Sequence, residues 1–417
     1  MRVAVIFHRF GPYHCARLEA AARHCDVTGI EVAAETQDYA WSPVKDTPGY
    51  SRITLFPSGD TQTMSAKQIS ERIEDALQSC SPDAVAIPGW SDKGALAALR
   101  WCMETGTPPI LMSESTALDE PRVGWREWIK GRIVRLCSTA LVGGQRHVDY
   151  LVELGMPRDQ IFTGYDVVDN EHFRQKAAEV RGPAFAGLRR GRQGSEVRQK
   201  YGLPENYFLA SARFIKKKNL PTLIRAYAGY RQMKGDGDIG HRTTDNGPWD
   251  LVLVGDGPLK TDLCRLVSDL RLHAHVHLPG FKQYDELPVY YALAKAFVHG
   301  SASEQWGLVV NEASASGLPV IVSNRCGCVP ELVQDNGFTF DPMNQHELAS
   351  RLFEMASLSD DERESLGHAS RRIATNLGPH RFGEGLNRAA TMAIDLPRRK
   401  FRAFDRAILF GATRFRR

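Results

Sequence analysis

Two glutamates and two cations are the residues best suited to do chemistry. Glu304 and Glu312, separated by seven residues, lie in the segment His299 to Val333, HGSASEQWGLVVNEASASGLPVIVSNRCGCVPELV. An apolar run ends at His299, and a small polar turn (Gly300, Ser301, Ser303) leads to Glu304. Gly307 opens a helix that runs to Ser316 and is terminated by Gly317. Backbone N–H groups at such a helix start attract a phosphate or a hydroxyl oxygen. A glutamate just before the helix and another a turn and a half inside it can both face a crevice at the carboxyl ends of parallel strands. The alternative is a pair of solvated glutamates on a surface helix, and the nearly uncharged, apolar sequence around them argues against it. Arg213 and Lys218 are fixed cations of the kind that stabilise negative charge developing on a departing phosphate in a dry site.

Weaker signals have plainer readings. Asp236-x-Asp238 could hold a divalent metal through hard oxygens, but its Gly-rich surroundings favour a solvated loop. His273, His275 and His277 would line one face of a strand, as zinc ligands could. No fourth ligand is nearby, so a partly exposed strand is the better reading. Cys326-x-Cys328 is a poor metal site by itself, and Gly255-x-Gly257 lacks the third glycine of a dinucleotide fingerprint. No metal is expected. Near the amino terminus, Gly11-Pro12-Tyr13-His14 follows the first strand and can let backbone approach a ligand, or can be an ordinary turn. His14 and Glu114 are the residues on this side that could position a second substrate.

The elements that must hold these groups alternate strand and helix. Strand-like runs fall at Val3 to Phe7, Val27 to Val32, Ala84 to Pro88, Pro109 to Met112, Ala140 to Gly143 and Gln160 to Thr163. Helical stretches intervene at Tyr13 to Arg23, Ser65 to Ser79 and Lys93 to Thr105. After a Gly- and Arg-rich interruption the alternation resumes, with strands at Tyr207 to Ala212, Leu251 to Gly255, His275 to Leu278, Phe297 to His299 and Pro319 to Ser323. Such alternation predicts an α/β fold with parallel sheets covered by helices on both faces. A chain of 417 residues exceeds one ordinary core. The expected division is a domain over 1–180, a linker over 181–200, a second domain over 201–380 and a basic helical tail over 381–417. Met233 to Pro248 reads as a polar loop insertion.

The motifs carry a resemblance. Glu304-x-Trp306-Gly307-x4-Glu312 resembles the E-x7-E signature of the retaining glycosyltransferases of family 4. Ser211-Ala-Arg213 with Lys218 resembles that family's R-x4-K motif, and this offset selects Lys218 from the run Lys216-Lys217-Lys218. The strand with Gly255-x-Gly257-Pro258, the loop Leu278-Pro-Gly280-Phe281, and Cys326-Gly327-Cys328-Val329-Pro330-Glu331 resemble its other landmarks. The second half matches closely. The first half matches in outline, through Gly11 and the segment Gly164 to Asn170. Gly-Cys replaces a glycine pair near residue 327, and Ser113-Glu114-Ser115 stands where the family has a histidine.

The resemblance implies a GT-B architecture, two Rossmann-like domains facing across a cleft, with the C-terminal segment crossing back to the first. It implies a retaining, metal-independent hexosyltransferase that takes a UDP- or GDP-linked sugar as substrate and uses no cofactor. Arg213, Lys218 and Glu304 would be the catalytic set. Glu312 would hold the donor ribose, and Gly307 and Leu308 the diphosphate, with Trp306, Gly255, Gly257, Phe281 and Gly11 around the donor. His14 and Glu114 would lie on the acceptor side. The acceptor would be a glycan, a lipid-linked or a small molecule, as in polysaccharide or glycoconjugate assembly. A sugar-nucleotide epimerase shares this fold, and a non-catalytic nucleotide-sugar-binding subunit is the remaining alternative.

Composition narrows the setting. Hydrophobic residues make up 42% and charged residues 24%, which excludes a disordered chain or a fibre. The start lacks a signal peptide's apolar core, no apolar run is long enough to span a bilayer, and eight scattered cysteines fit a reducing cytoplasm. Net charge is +4, yet Leu396 to Arg417 holds eight Arg or Lys against one Asp, so the rest of the chain is slightly acidic. Phe401, Phe404 and Ile408 at helical spacing in that tail, and Trp125, Trp128 and Ile129 among Arg126, Lys130 and Arg132, suggest peripheral docking on an anionic membrane. The competing reading packs both stripes on the sheets. Nucleic acid is not expected, since no binding module accompanies the charge.

Overall fold

A computed structural model describes residues 1–34, 49–58, 64–182, 192–235 and 247–414. The chain forms two compact units, one from Met1–Asp169 with Leu377–Arg417, the other from Asn170–Asn376. The sequence-based boundaries at 180 and 380 therefore shift, because the helix at 170–181 packs on the second unit and the last helices return to the first.

The first unit runs β1 (Arg2–Phe7), α1 (Pro12–Ala21), β2 (Asp26–Ala33), β3 (Ser51–Phe56), α2 (Ala66–Cys80), β4 (Ala84–Pro88), α3 (Lys93–Thr105), β5 (Pro109–Ser113), α4 (Gly124–Val134), β6 (Thr139–Val142), α5 (Gln145–Glu153) and β7 (Ile161–Thr163). All strands pair in parallel, in the order β3-β2-β1-β4-β5-β6-β7. Covering a sheet on both faces demands continuous apolar strands, and Val3 through Phe7 are each almost completely buried. Helix starts follow local capping rules. Ser65 accepts from the Gln68 N–H ahead of α2, and Asp92 accepts from Gly94 and Ala95 ahead of α3.

The second unit begins with α6 (Asn170–Arg181) and α7 (Arg192–Tyr201). It continues through β8 (Tyr207–Ser211), α8 (Leu220–Lys234), β9 (Asp250–Val254), α9 (Lys260–Asp269), β10 (Val276–Gly280), α10 (Leu287–Leu293), β11 (Ala296–His299), α11 (Leu308–Ala315), β12 (Val320–Ser323), α12 (Val329–Leu332), β13 (Gly337–Phe340), α13 (Gln345–Ser357) and α14 (Asp360–Thr375). Its sheet is also parallel, in the order β10-β9-β8-β11-β12-β13. The chain then returns through α15 (Pro379–Asp395), packed on α1 and β6, and α16 (Ala403–Arg414), packed on α3 and α4.

Two readings change, and one lies largely outside the described residues. Part of the expected linker, residues 192–201, is helix α7, whose polar helix formers (Gln193, Glu196, Arg198, Gln199, Lys200) read as linker composition. Residues 183–191 and most of the Met233 to Pro248 insertion, including Asp236 and Asp238, lie outside the described residues. Strands β3 and β13 carry no clear periodic signal, because each is an edge strand with only one buried residue. Among the described residues, no helix is long and apolar enough to cross a membrane.

Candidate functional site

In the second sheet the strand order reverses between β8 and β11, which pair directly. The carboxyl ends flanking such a switch point are where open parallel sheets bind ligands, since the two outgoing loops diverge there. Arg213 and Lys218 follow β8, and Glu304 and Glu312 follow β11. The topology thus brings both charged pairs to one edge.

Three loops fix Glu304. The Ala302 N–H donates to the Lys217 carbonyl at 2.8 Å, and the Gly327 N–H donates to the Glu304 carbonyl at 2.9 Å. Glu304 also forms an isolated parallel bridge with Cys326. The side chain is therefore held between the lysine turn and the Cys326–Cys328 turn. Its Oε2 accepts from Lys218 Nζ and from Ser301 Oγ at 3.0 Å, and lies 3.2 Å from His299 Nε2. Burial alone would raise this carboxyl, but Lys218, His299 and Lys217 outweigh it and hold Glu304 well below the usual carboxylate range. Burial lowers His299, against the opposing pull of Glu304, so its imidazole stays neutral beside the ion pair. Of the three consecutive lysines, Lys216 and Lys217 are exposed and Lys218 turns toward Glu304. Arg213 is exposed at the end of the β8 loop.

Glu312 is 2% exposed on α11, and its Oε2 accepts from the Tyr291 hydroxyl of α10 at 2.8 Å. Ser211, at the end of β8, lies near enough to the Tyr291 hydroxyl to influence it electrostatically. Both glutamates are thus buried and held, and the surface-helix alternative fails. Trp306 is buried, donating its indole N–H to Asn311 Oδ1 at 2.8 Å, which braces the turn into α11. Gly307 begins that helix at φ 110° and offers no side chain to cap it, and the Val310 N–H donates to the Gly307 carbonyl at 2.8 Å. Gly255 and Gly257 sit at φ 139° and 154°. A Cβ on Gly255 would meet the Ala212 carbonyl at 1.9 Å, and one on Gly257 would meet the Phe214 backbone at 2.8 Å. Their role here is to let their loop pack against the segment that carries Arg213. Phe281 is 37% exposed just past β10.

The first unit has its own switch point, between β1 and β4. Gly11 caps α1 at φ −125°, extended backbone open to any residue. His14 accepts the Gly11 N–H at Nδ1 (3.1 Å) and rests on Phe7, with ring centroids 4.5 Å apart. Burial, then Arg17 and Arg9, lower its pKa to about 3, so the ring is neutral. Glu114, past β5, is half-buried and lies close enough to Asp166 and Tyr165 to act on their charge. Asp166 is pushed well above the usual carboxylate range by burial, then by Glu114, with Arg17 opposing.

Sequence reasoning missed His299, Ser301 and Tyr291 as site groups. His299 carried a signal, a polar residue ending an apolar strand. Ser301 lay in a turn already noted. Tyr291 carried none, since α10 reads as an ordinary core helix. Among the described residues no cluster could hold a metal ion. His275 and His277 instead both bond Asp250, at 3.1 and 2.8 Å.

A doubly wound pair of sheets with this charged edge defines a GT-B fold, and comparison with known proteins agrees. The UDP complex of Alr3699/HepE from Anabaena is 16% identical, with a TM-score of 0.66 over 94% of this chain and 100% of that one. Sucrose-phosphate synthase from Thermosynechococcus elongatus is 18% identical, with a TM-score of 0.68 over 93% and 98%. Residues 195–373 match the family described as Glycosyl transferases group 1. Over 191 residues the chain is 32% identical to the GDP-mannose-dependent alpha-(1-6)-phosphatidylinositol monomannoside mannosyltransferase of Mycobacterium tuberculosis, covering 43% of this chain and 46% of that protein. It is 37% identical to the sulfoquinovosyl transferase SQD2 of Arabidopsis thaliana over 127 residues, 29% of this chain and 24% of that protein. The chain spans less than half the length of these curated relatives.

Proposed function

We propose that the chain is a retaining glycosyltransferase of family 4 that moves a hexosyl group from a UDP- or GDP-linked sugar to an acceptor hydroxyl. The observation that carries this reading is the buried Lys218–Glu304 pair at the switch point, inside the segment that matches the group 1 glycosyl transferases. Lys218 and Arg213 offset charge on the departing diphosphate, with N–H groups of Gly307 and Leu308 adding to them. Glu304, held ionised, accepts from hydroxyls of the transferred sugar, and Glu312 from the ribose hydroxyls. The bond from the anomeric carbon to the diphosphate oxygen breaks, and a bond to the acceptor oxygen forms on the same face. The acceptor's proton passes to the departing phosphate oxygen, which closes the balance. No metal is needed, because the cations are side chains. His14 and Glu114 would act on the acceptor side, at most by positioning. The acceptor is a glycan, a lipid-linked or a small molecule in a cytoplasmic assembly pathway, where the thiols stay reduced.

The test is a panel of nucleotide sugars and acceptors, with nucleoside diphosphate release and product anomer as readouts, repeated in excess EDTA. The expected outcome is acceptor-dependent release, retained configuration and most activity kept in EDTA. Interconversion of the nucleotide sugar without acceptor would mark an epimerase. Binding with no turnover across the panel would mark a non-catalytic subunit, and activity lost in EDTA and restored by Mg²⁺ would overturn metal independence.

A further inference from the structure

Helices α4 and α16 carry the two apolar stripes that could pack on the sheet or meet a membrane. The structure divides each stripe. Phe401, Ile408 and Leu409 pack into the first unit's core, as do Ile129 and Ile133 of α4. The remaining rings stay outside, with Trp125 63%, Trp128 50% and Phe404 53% exposed. Segments far apart in sequence thereby build one surface, on which Trp128 and Phe404 meet edge to face at 5.7 Å. The Arg132 guanidinium lies 5.6 Å from the Phe404 ring and pairs with Asp405, which locks the two helices together.

The charge on this surface is one-sided. Glu127 is the one acid of α4, and Lys130 and Arg122 neutralise it at 3.0 and 3.4 Å. Asp405 is the one acid among the described side chains of α16, and it is buried against Arg132. Arg126 is exposed with its guanidinium 5.4 Å from the Trp125 ring, and Lys400 and Arg402 are exposed at the entry to α16, whereas Arg406 lies over Phe401 near Arg100 and Glu104. Large exposed aromatics among uncompensated cations fit a planar array of phosphates, with rings at headgroup depth and cations at the lipid charges. A folded protein partner would have to supply a matching acidic cluster at each cation.

We propose that this α4–α16 face docks reversibly on an anionic phospholipid surface, with Trp125, Trp128 and Phe404 entering the headgroup region. Arg126, Lys400 and Arg402 meet the lipid phosphates. The docking is independent of sugar transfer and can fail or hold without it.

The test is co-sedimentation of the full chain with vesicles of equimolar phosphatidylglycerol and phosphatidylcholine, and with phosphatidylcholine alone, at low and high salt. Binding is expected to the anionic vesicles and to weaken with salt. Trp125→Ala with Trp128→Ala should weaken it about tenfold or more. Arg126→Gln and Arg402→Gln should each weaken it about fivefold. Arg265→Gln and Arg372→Gln, on the second unit, should change nothing. With brominated acyl chains, bound protein should lose Trp emission, and Trp125→Phe with Trp128→Phe should abolish that loss. All replaced side chains are exposed, so thermal unfolding should confirm intact variants. No sedimentation at low salt, equal binding to neutral vesicles, or equal losses in the second-unit variants would overturn the proposal. So would a dimer, seen by light scattering and abolished by Trp125→Ala, that binds no vesicle.

Discussion

The switch points of the two sheets share a topology and differ in what their charged groups do. In the second unit, Lys218, Glu304, His299 and Ser301 form a buried, bonded cluster at the carboxyl edge, with Glu312 held separately by Tyr291. In the first unit, Arg17 is buried and donates to the Val167 carbonyl at 3.0 Å, and His14 is neutral and bonded to its own helix start. The second edge therefore presents preorganised ionised groups, which act strongly in a site of low dielectric. The first edge uses its charged groups to fix its own loops. In the proposed reaction, the diphosphate of the donor would use the former, and a neutral hydroxylic acceptor could be served by the latter.

The sharpest way to break this contrast is to remove the cations. Arg213→Ala and Lys218→Ala should each lower kcat/KM by about 10²-fold. They should separate in stability. Arg213 is exposed and should leave the unfolding transition in place, while Lys218→Ala strands a buried carboxylate and should cost about 3 kcal/mol. Because the folded-state pKa of Glu304 is depressed, its contribution is complete above about pH 5 and is lost as pH falls below its unfolded value near about 4.3. The stability gap between wild type and Lys218→Ala should accordingly be flat at neutral pH and shrink in acid. A gap that widened in acid would contradict the ion pair.

The next contrast lies in the glycines. Gly255→Ala drives a Cβ into the Ala212 carbonyl at positive φ, and a loss of more than about 3 kcal/mol is expected in denaturant unfolding. Gly11→Ala, in extended backbone, should cost under about 1 kcal/mol. Similar losses at both positions would mean that the two loops are built alike.

The smallest effect is expected at Tyr291. Removing its hydroxyl in Tyr291→Phe takes one hydrogen bond from the Glu312 carboxylate, and the KM for the nucleotide sugar should rise about tenfold with kcat little changed. An unchanged KM would detach Glu312 from donor binding.

Much of this was legible in sequence because it is local. Apolar runs such as Val3–Phe7 read as strands covered on both faces, and Gly307 followed by Leu308 to Ala315 reads as a turn entering a helix, as both are. Composition misled at residues 192–201, where polar helix formers resemble a linker, and periodicity failed at the half-exposed edge strands β3 and β13.

What the sequence determined alone was the alternation of elements and the types and spacing of Arg213, Lys218, Glu304 and Glu312. What tertiary structure decided was which of these groups meet. Only the adjacency of β8 and β11 sets Lys218 against Glu304, and the packing of α10 and α11 on the same helix α6 brings Tyr291 to Glu312. The same holds for the aromatic face, where Trp128 touches Phe404 across the chain while Ile129 and Ile408 turn inward. Spacing along a helix fixes which side chains share a face, but burial of each face depends on the neighbour that folding brings to it.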